Sequence, residues 1–201
     1  MQEQVELFYL GAESVPCGSV VTAIGDSEIS CHVHFTTPDG HHGGGRAVIH
    51  VAGSITAWTS LSFTSGGVSI HASRDGEDVI VAGARARHDG VVVPSYGLSA
   101  LVLELVQGPD RAIDLLLLEE SASSPGAVSP ARLERTGTED VRSPLLGLVA
   151  DCERVELTVG DRRTNTYWER DGLLVASDWA GARSYRLPAA AADGLRAALG
   201  A

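Results

Sequence analysis

The feature that most constrains the fold is the cadence of the chain's last third. Val155, Leu157 and Val159 alternate with polar residues and so share one face of a strand; Gly160-Asp161 turns, and residues 164–168 return. Asp171-Gly172 turns again, residues 173–179 run out, and Ala180-Gly181 sends residues 183–187 back. Four strand-like runs joined by turns this short predict an antiparallel meander.

The same grammar extends upstream. Short runs rich in Val, Ile, Thr and aromatics predict strands at 5–10, 19–24, 28–36, 46–51, 54–63, 67–73, 77–86 and 111–119. Turns such as Ser65-Gly66-Gly67 and Arg74-Asp75-Gly76 suit tight hairpins, because glycine accepts the positive φ they require. One segment breaks the period. Leu98, Leu101, Val102, Leu105 and Val106 recur at helical spacing, which predicts an amphipathic helix over 96–107, capped by Ser95 and stopped by Gly108-Pro109. A second, Ala-rich helix is expected over about 189–199, after Pro188. Residues 38–45 and 121–130 have loop composition. No sequence period repeats, which argues against a propeller or solenoid.

The expectation is therefore a mainly β protein forming one β-rich domain over 1–201. An antiparallel meander of roughly ten or more strands would make a curved sheet or open β-barrel around one amphipathic helix, with a short C-terminal helix.

Composition narrows the partners. With 15 basic against 26 acidic residues the net charge is −11, which opposes binding to nucleic acid, where a basic face must displace counterions. Every basic residue other than His is Arg, which fits the codon usage of a GC-rich genome and removes Lys Schiff-base chemistry. Cys17, Cys31 and Cys152 show no paired spacing, so packed thiols are expected rather than a disulfide framework. The longest apolar run of consequence, 115–118, falls far short of the roughly 20 residues that span a bilayer, so no transmembrane segment is expected. The first residues, Met1-Gln2-Glu3-Gln4-Val5, carry acid where an export signal needs base, so the chain as written reads as cytoplasmic; an exported protein trimmed of its leader would look the same.

The ordered features then resemble a family. A Leu10-Gly11 step ends the first strand, and hairpins, a helix and a strand follow. Next come Thr136-Gly137-Thr138-Glu139-Asp140-Val141 with Pro144 and Gly147, then a Tyr167-Trp168 strand and the Asp171-Gly172 turn. This resembles an uncharacterised bacterial family whose fold is similar to the lipoprotein carriers and sorting factors of the cell envelope, with the motif match confined to about 136–172. The resemblance implies a strongly curved sheet around a helix, with a concave apolar face that holds acyl chains. As written, the sequence departs from those carriers in showing no export signal and no lipidation Cys among its first residues, and the family implies no activity.

The chemistry-bearing constellations are sparse. His32 and His34 share one strand face, His41 and His42 lie in the next loop, and His50 sits on the returning strand, where a hairpin could oppose it to His34. Converging imidazoles of this kind bind Zn, Ni or Cu. The competing and favoured reading is a solvated His-rich loop beside one packed His. Asp114, set among Ile113 and 115–118, and Glu139 are the acidic candidates for general acid–base work; alternation of Asp114 to the wet strand face is the simpler account. Glu104 on the helix is a third carboxylate of this kind. Trp58, Tyr167, Trp168 and Trp179, with Leu98, Leu101 and Leu105 of the helix, would line an apolar cavity or fill the core.

The leading functional reading is non-enzymatic binding of an apolar or amphipathic small molecule, a lipid included, between sheet and helix, with no cofactor. The alternatives are a cofactor-independent cyclase or isomerase using Asp114 or Glu139, a metal-dependent version using His32, His34 and His50, and an interaction module with exposed strand edges, a homodimer included.

Overall fold

The computed structural model describes residues 2–10, 15–37, 39–120, 126–179 and 181–193. Fifteen strands form one sheet, in the order β8-β7-β6-β5-β4-β3-β2-β1-β15-β14-β13-β12-β11-β10-β9. The first eight are β1 (Gln2–Leu10), β2 (Gly18–Ile24), β3 (Glu28–Thr36), β4 (His42–Val51), β5 (Trp58–Ser65), β6 (Val68–Asp75), β7 (Asp78–Val81) and β8 (Ala84–Arg87). After β9 (Val92–Pro94) comes helix α1 (Leu98–Gln107), then β10 (Ala112–Leu118), β11 (Val128–Ser143), β12 (Gly147–Val159), β13 (Arg162–Arg170), β14 (Leu173–Trp179) and β15 (Ala182–Arg186).

Two meanders meet where β1 pairs with β15, with Glu6 opposite Arg186 and Tyr9 opposite Arg183. Chain connectivity then forces the curl. Fifteen strands ~4.8 Å apart would lie flat over roughly 67 Å. The two edge strands, however, are joined directly through residues 88–91, and the five steps from Arg87 to Val92 reach at most roughly 18 Å. The sheet must therefore bend until its edges nearly meet, and Trp58 Nε1 of β5 donates to the Val92 carbonyl of β9 at 2.8 Å. The edges are not hydrogen-bonded to each other, so the barrel stays open. The edge strand β8, with Arg85 and Arg87, is charged and exposed throughout, and β9 ends in Pro94, both of which discourage further pairing.

The helix α1 occupies the concave side. Leu98, Ala100, Leu101, Val102, Leu103 and Leu105 are all buried, so the helix is covered around most of its circumference rather than along one stripe. It packs into one core with Ile29, Ile49 and Trp58 from one half of the sheet and Leu133, Val155 and Leu157 from the other. Its far end is anchored by Glu104, whose carboxylate accepts from Ser54 Oγ at 2.7 Å and from the Ile55 N–H at 2.9 Å.

Several expectations are corrected. The sheet is not purely antiparallel, since β9 pairs with β10 in parallel across the α1 crossover. Residues 54–57 belong to a 3-10 turn capped by Ser54, so β5 starts at Trp58. The strand expected over 77–86 is two, β7 and β8, separated by Ala82 and Gly83, both at positive φ. Residues 42–45 are strand rather than loop, because the rings of Phe35 and Phe63 lie over Gly43 and Gly45, and a Cβ at Gly45 would meet Phe63 at 2.7 Å. The long hairpin β11–β12 absorbs the Thr136-to-Val141 motif, whose register shifts twice, between Arg135 and Gly137 and between Glu139 and Val141. Ser95 does not cap α1; it opens a 3-10 turn over Ser95–Gly97, and its hydroxyl and N–H bond to Glu120. The last helix begins at Ala189 and is described through residue 193; the remainder of its expected span lies outside the described residues, as do 121–125 of the expected loop. Among the described residues no helix is long and apolar enough to cross a membrane.

Candidate functional site

The concave side is not packed solid. A cavity of about 380 Å³ lies at the amino-terminal end of α1, between the helix, β3, β10 and the β12–β14 ladder, and is open to solvent on one side. Its apolar wall is made by Leu98, Leu117, Leu157 and Val159, and its aromatic wall by Tyr96, Tyr167 and Trp179. Polar groups enter from Ser95, Ser99, Thr164, Asn165 and Glu119, with the thiol of Cys31 behind them. Period-2 alternation explains the placement on β3 and β13: Cys31 and Tyr167 point inward while His32 and Trp168 point outward.

Two carboxyl groups stand behind this wall. Glu120 is 1% exposed, and its carboxylate accepts from the Ser95 N–H at 3.0 Å, from the Ser95 hydroxyl and from the Tyr96 N–H at 3.4 Å. It thereby caps the turn that launches α1 and fixes the wall residues Ser95 and Tyr96. Burial pushes its pKa up to about 7, with the bonds from Ser95 and Tyr96 limiting the rise. Glu6, on β1, is 2% exposed; burial raises its pKa too, opposed by the Ser184 hydroxyl, the Gln4 amide and Ser177. Burial likewise pushes the Cys31 thiol and the Tyr96 phenol up to about 12 each, and raises Tyr167, whose Oη accepts from Asn165 Nδ2 at 2.9 Å. The thiol and phenols are therefore neutral at physiological pH, and Cys31 is not an activated nucleophile.

The sequence-expected residues divide sharply. Leu98, Tyr167 and Trp179 line the cavity. Trp58, Leu101 and Leu105 are core: Trp58 is 1% exposed and bonded to Val92. Trp168 lies on the opposite face, where its indole N–H donates to Glu139 and the Arg183 guanidinium sits 5.9 Å over its ring. Glu139 is also 3.7 Å from Arg154 Nε and belongs to that outer face. Asp114 is not buried among its apolar neighbours; its carboxylate is 79% exposed and pairs with Arg132 at 2.8 Å, beside a separate surface hollow of about 440 Å³ at the β9–β10–β11 edge. The expected opposition of His50 and His34 does not form. His34 faces Gly44 and His50 faces Glu28, six residues away along β3, which is roughly 20 Å. His32, His34 and His50 are all on the exposed outer face, His34 stacking on His42 with centroids 6.3 Å apart. Among the described residues no three of His, Cys, Asp and Glu come together as a group that could hold a metal ion.

Sequence reasoning missed Glu120, Glu6, Tyr96, Ser95, Ser99 and Asn165. The available signal was the Glu119-Glu120 pair closing the apolar run 115–118, since a carboxylate at the end of a buried strand is either exposed or specifically partnered.

No protein-family model and no curated protein matches the chain. Among solved structures the chain is similar to a β-barrel-like protein of a domain of unknown function from Brucella abortus, at 7% identity and a TM-score of 0.47, covering 92% of this chain and 95% of that one.

Proposed function

We propose that the protein, as one β-rich domain, binds an apolar or amphipathic small molecule in the cavity between the curved sheet and α1, without catalysing a reaction. The observation that carries this reading is the cavity itself. A recess of about 380 Å³ opens to solvent between aliphatic and aromatic walls, within the range of small-molecule sites. The resemblance of the segment 136–172 to a family with a carrier-like fold implies a ligand on the concave apolar face, which is the side where this cavity lies. Asp114 and Glu139, the acids of the alternative enzymatic reading, stand on the outside and do not reach the cavity.

Titration with N-phenyl-1-naphthylamine, a neutral fluorophore that brightens in apolar sites, tests this. The wild type is expected to bind it 1:1, and Ser99→Phe, which places a ring into the cavity from a part-exposed helix position, to bind at least about tenfold more weakly with an unchanged thermal midpoint. Equal binding by the two proteins, or no saturable binding by the wild type, would overturn the reading.

A further inference from the structure

Resting on the proposed binding function, the charge of the cavity wall says which amphiphile fits. Among the described lining residues there is no Arg and no His, and the chain has no Lys. The segments that adjoin the cavity in sequence outside the described residues, 121–125 and 180, also contain no basic residue. The charged side chain on the wall is the carboxylate of Glu119, with the buried carboxyl of Glu120 held behind Ser95. An anionic head group would enter with no cation to meet it and with a carboxylate beside it, and the neutral hydroxyls of the wall replace its hydration only in part.

Hydrogen-bond donors meet the opposite situation. Glu119 offers acceptor oxygens only, and Asn165 spends one of its two Nδ2 hydrogens on Tyr167 Oη. The faces of Tyr96, Tyr167 and Trp179 attract positive charge through their quadrupoles. The indole N–H of Trp179, on the same wall, is buried without an acceptor. We propose that the cavity selects amphiphiles whose head group donates hydrogen bonds and carries no negative charge, an amine or a hydroxyl, and rejects carboxylates and phosphates, with Glu119 as the discriminating residue. The volume equals that of roughly a dozen waters at ~30 Å³ each, which matches a ten-carbon chain with a one-atom head.

Isothermal titration at pH 7.5 with decylamine, decanol and decanoate, each below its micellar concentration, tests the selection. Decylamine and decanol are expected to bind 1:1, and decanoate at least about tenfold more weakly than decylamine. Glu119→Gln should shrink the amine-to-carboxylate ratio several-fold while leaving the thermal midpoint in place, since Glu119 is only part-buried. Decanoate binding as tightly as decylamine, with decanol also bound, would overturn the charge selection and leave the binding function standing. An unchanged ratio in Glu119→Gln would remove Glu119 from its role. Failure of all three probes to bind would overturn the binding function and this inference with it.

Discussion

Glu120 makes the protein's stability depend on pH in a window where ordinary carboxylates are silent. Its carboxyl is 1% exposed and burial pushes its pKa up to about 7, from the ordinary glutamate value of 4.5 that the unfolded chain would show. A raised carboxyl pKa means that the folded state binds the proton more tightly. The stabilisation is thus complete below about pH 4.5 and is lost as pH rises toward and through about 7. At 1.36 kcal/mol per pKa unit, the linkage predicts a loss of about 2–3 kcal/mol between pH 5 and pH 8 from this group alone. Glu120→Gln keeps the acceptor oxygen toward Ser95 and removes the titration. Urea unfolding followed by tryptophan emission at several pH values gives the stability of each protein, and the difference between them cancels Glu6 and the other shared groups. That difference should move against the wild type by about 2–3 kcal/mol across the window, roughly 1 M in urea midpoint for a slope of ~2–3 kcal/mol/M. A difference that stays flat from pH 5 to pH 8 would refute the burial argument.

Trp58→Phe should cost about 1–3 kcal/mol, because it leaves the buried Val92 carbonyl without its donor, yet leave the affinity for N-phenyl-1-naphthylamine unchanged; weakened probe binding would put Trp58 back among the lining residues. Gly97→Ala should destabilise by about 1–3 kcal/mol in thermal unfolding, since a Cβ there would lie 2.5 Å from Ile55 Cδ1 in a fully buried contact at the start of α1. The double replacement of His32 and His34 by Ala should change stability by less than about 0.5 kcal/mol and leave zinc affinity, measured by calorimetry, unaltered, because both rings are solvated and His50 is far along the strand.

Where local pattern and tertiary environment agree, the fold was legible. The strands β13, β14 and β15 alternate in polarity and are divided by Gly-bearing turns, so their existence follows from the residues alone. The α1 helix was readable from Leu98, Leu101, Val102 and Leu105, but the burial of Ala100 and Leu103 was not, because it depends on the sheet curling around both flanks. The strand β9 escaped notice because three residues ending in proline carry no period. The strand β11 escaped because its bulges reset the alternation in the middle of Thr-Gly-Thr-Glu-Asp.

The site was legible only in part for the same reason. Tyr167 and Trp179 were expected to face the concave side and do, whereas their neighbour Trp168 points outward by the pleat. Glu6 alternates with Val5 and Leu7 like any residue on a wet strand face. Its burial arises because β1 sits at the centre of the sheet, with Val5 and Tyr9 covered on one side and α1 near Gln4 and Glu6 on the other. Asp114 reverses the lesson: apolar neighbours in sequence did not bury it, since strand pairing put Arg132 opposite and solvent above.

The most direct test of the central claim uses the three tryptophans as rulers. Trp179 lines the cavity, Trp58 is sealed in the core and Trp168 lies on the outer face. A brominated alcohol, 10-bromodecanol, quenches an indole on contact. Saturable partial quenching is predicted for the wild type, with the quenching lost in Trp179→Phe while calorimetry still records 1:1 binding of decanol to that variant. Quenching of equal depth in Trp179→Phe, or no saturable quenching in the wild type, would contradict the placement of a ligand between the sheet and the helix.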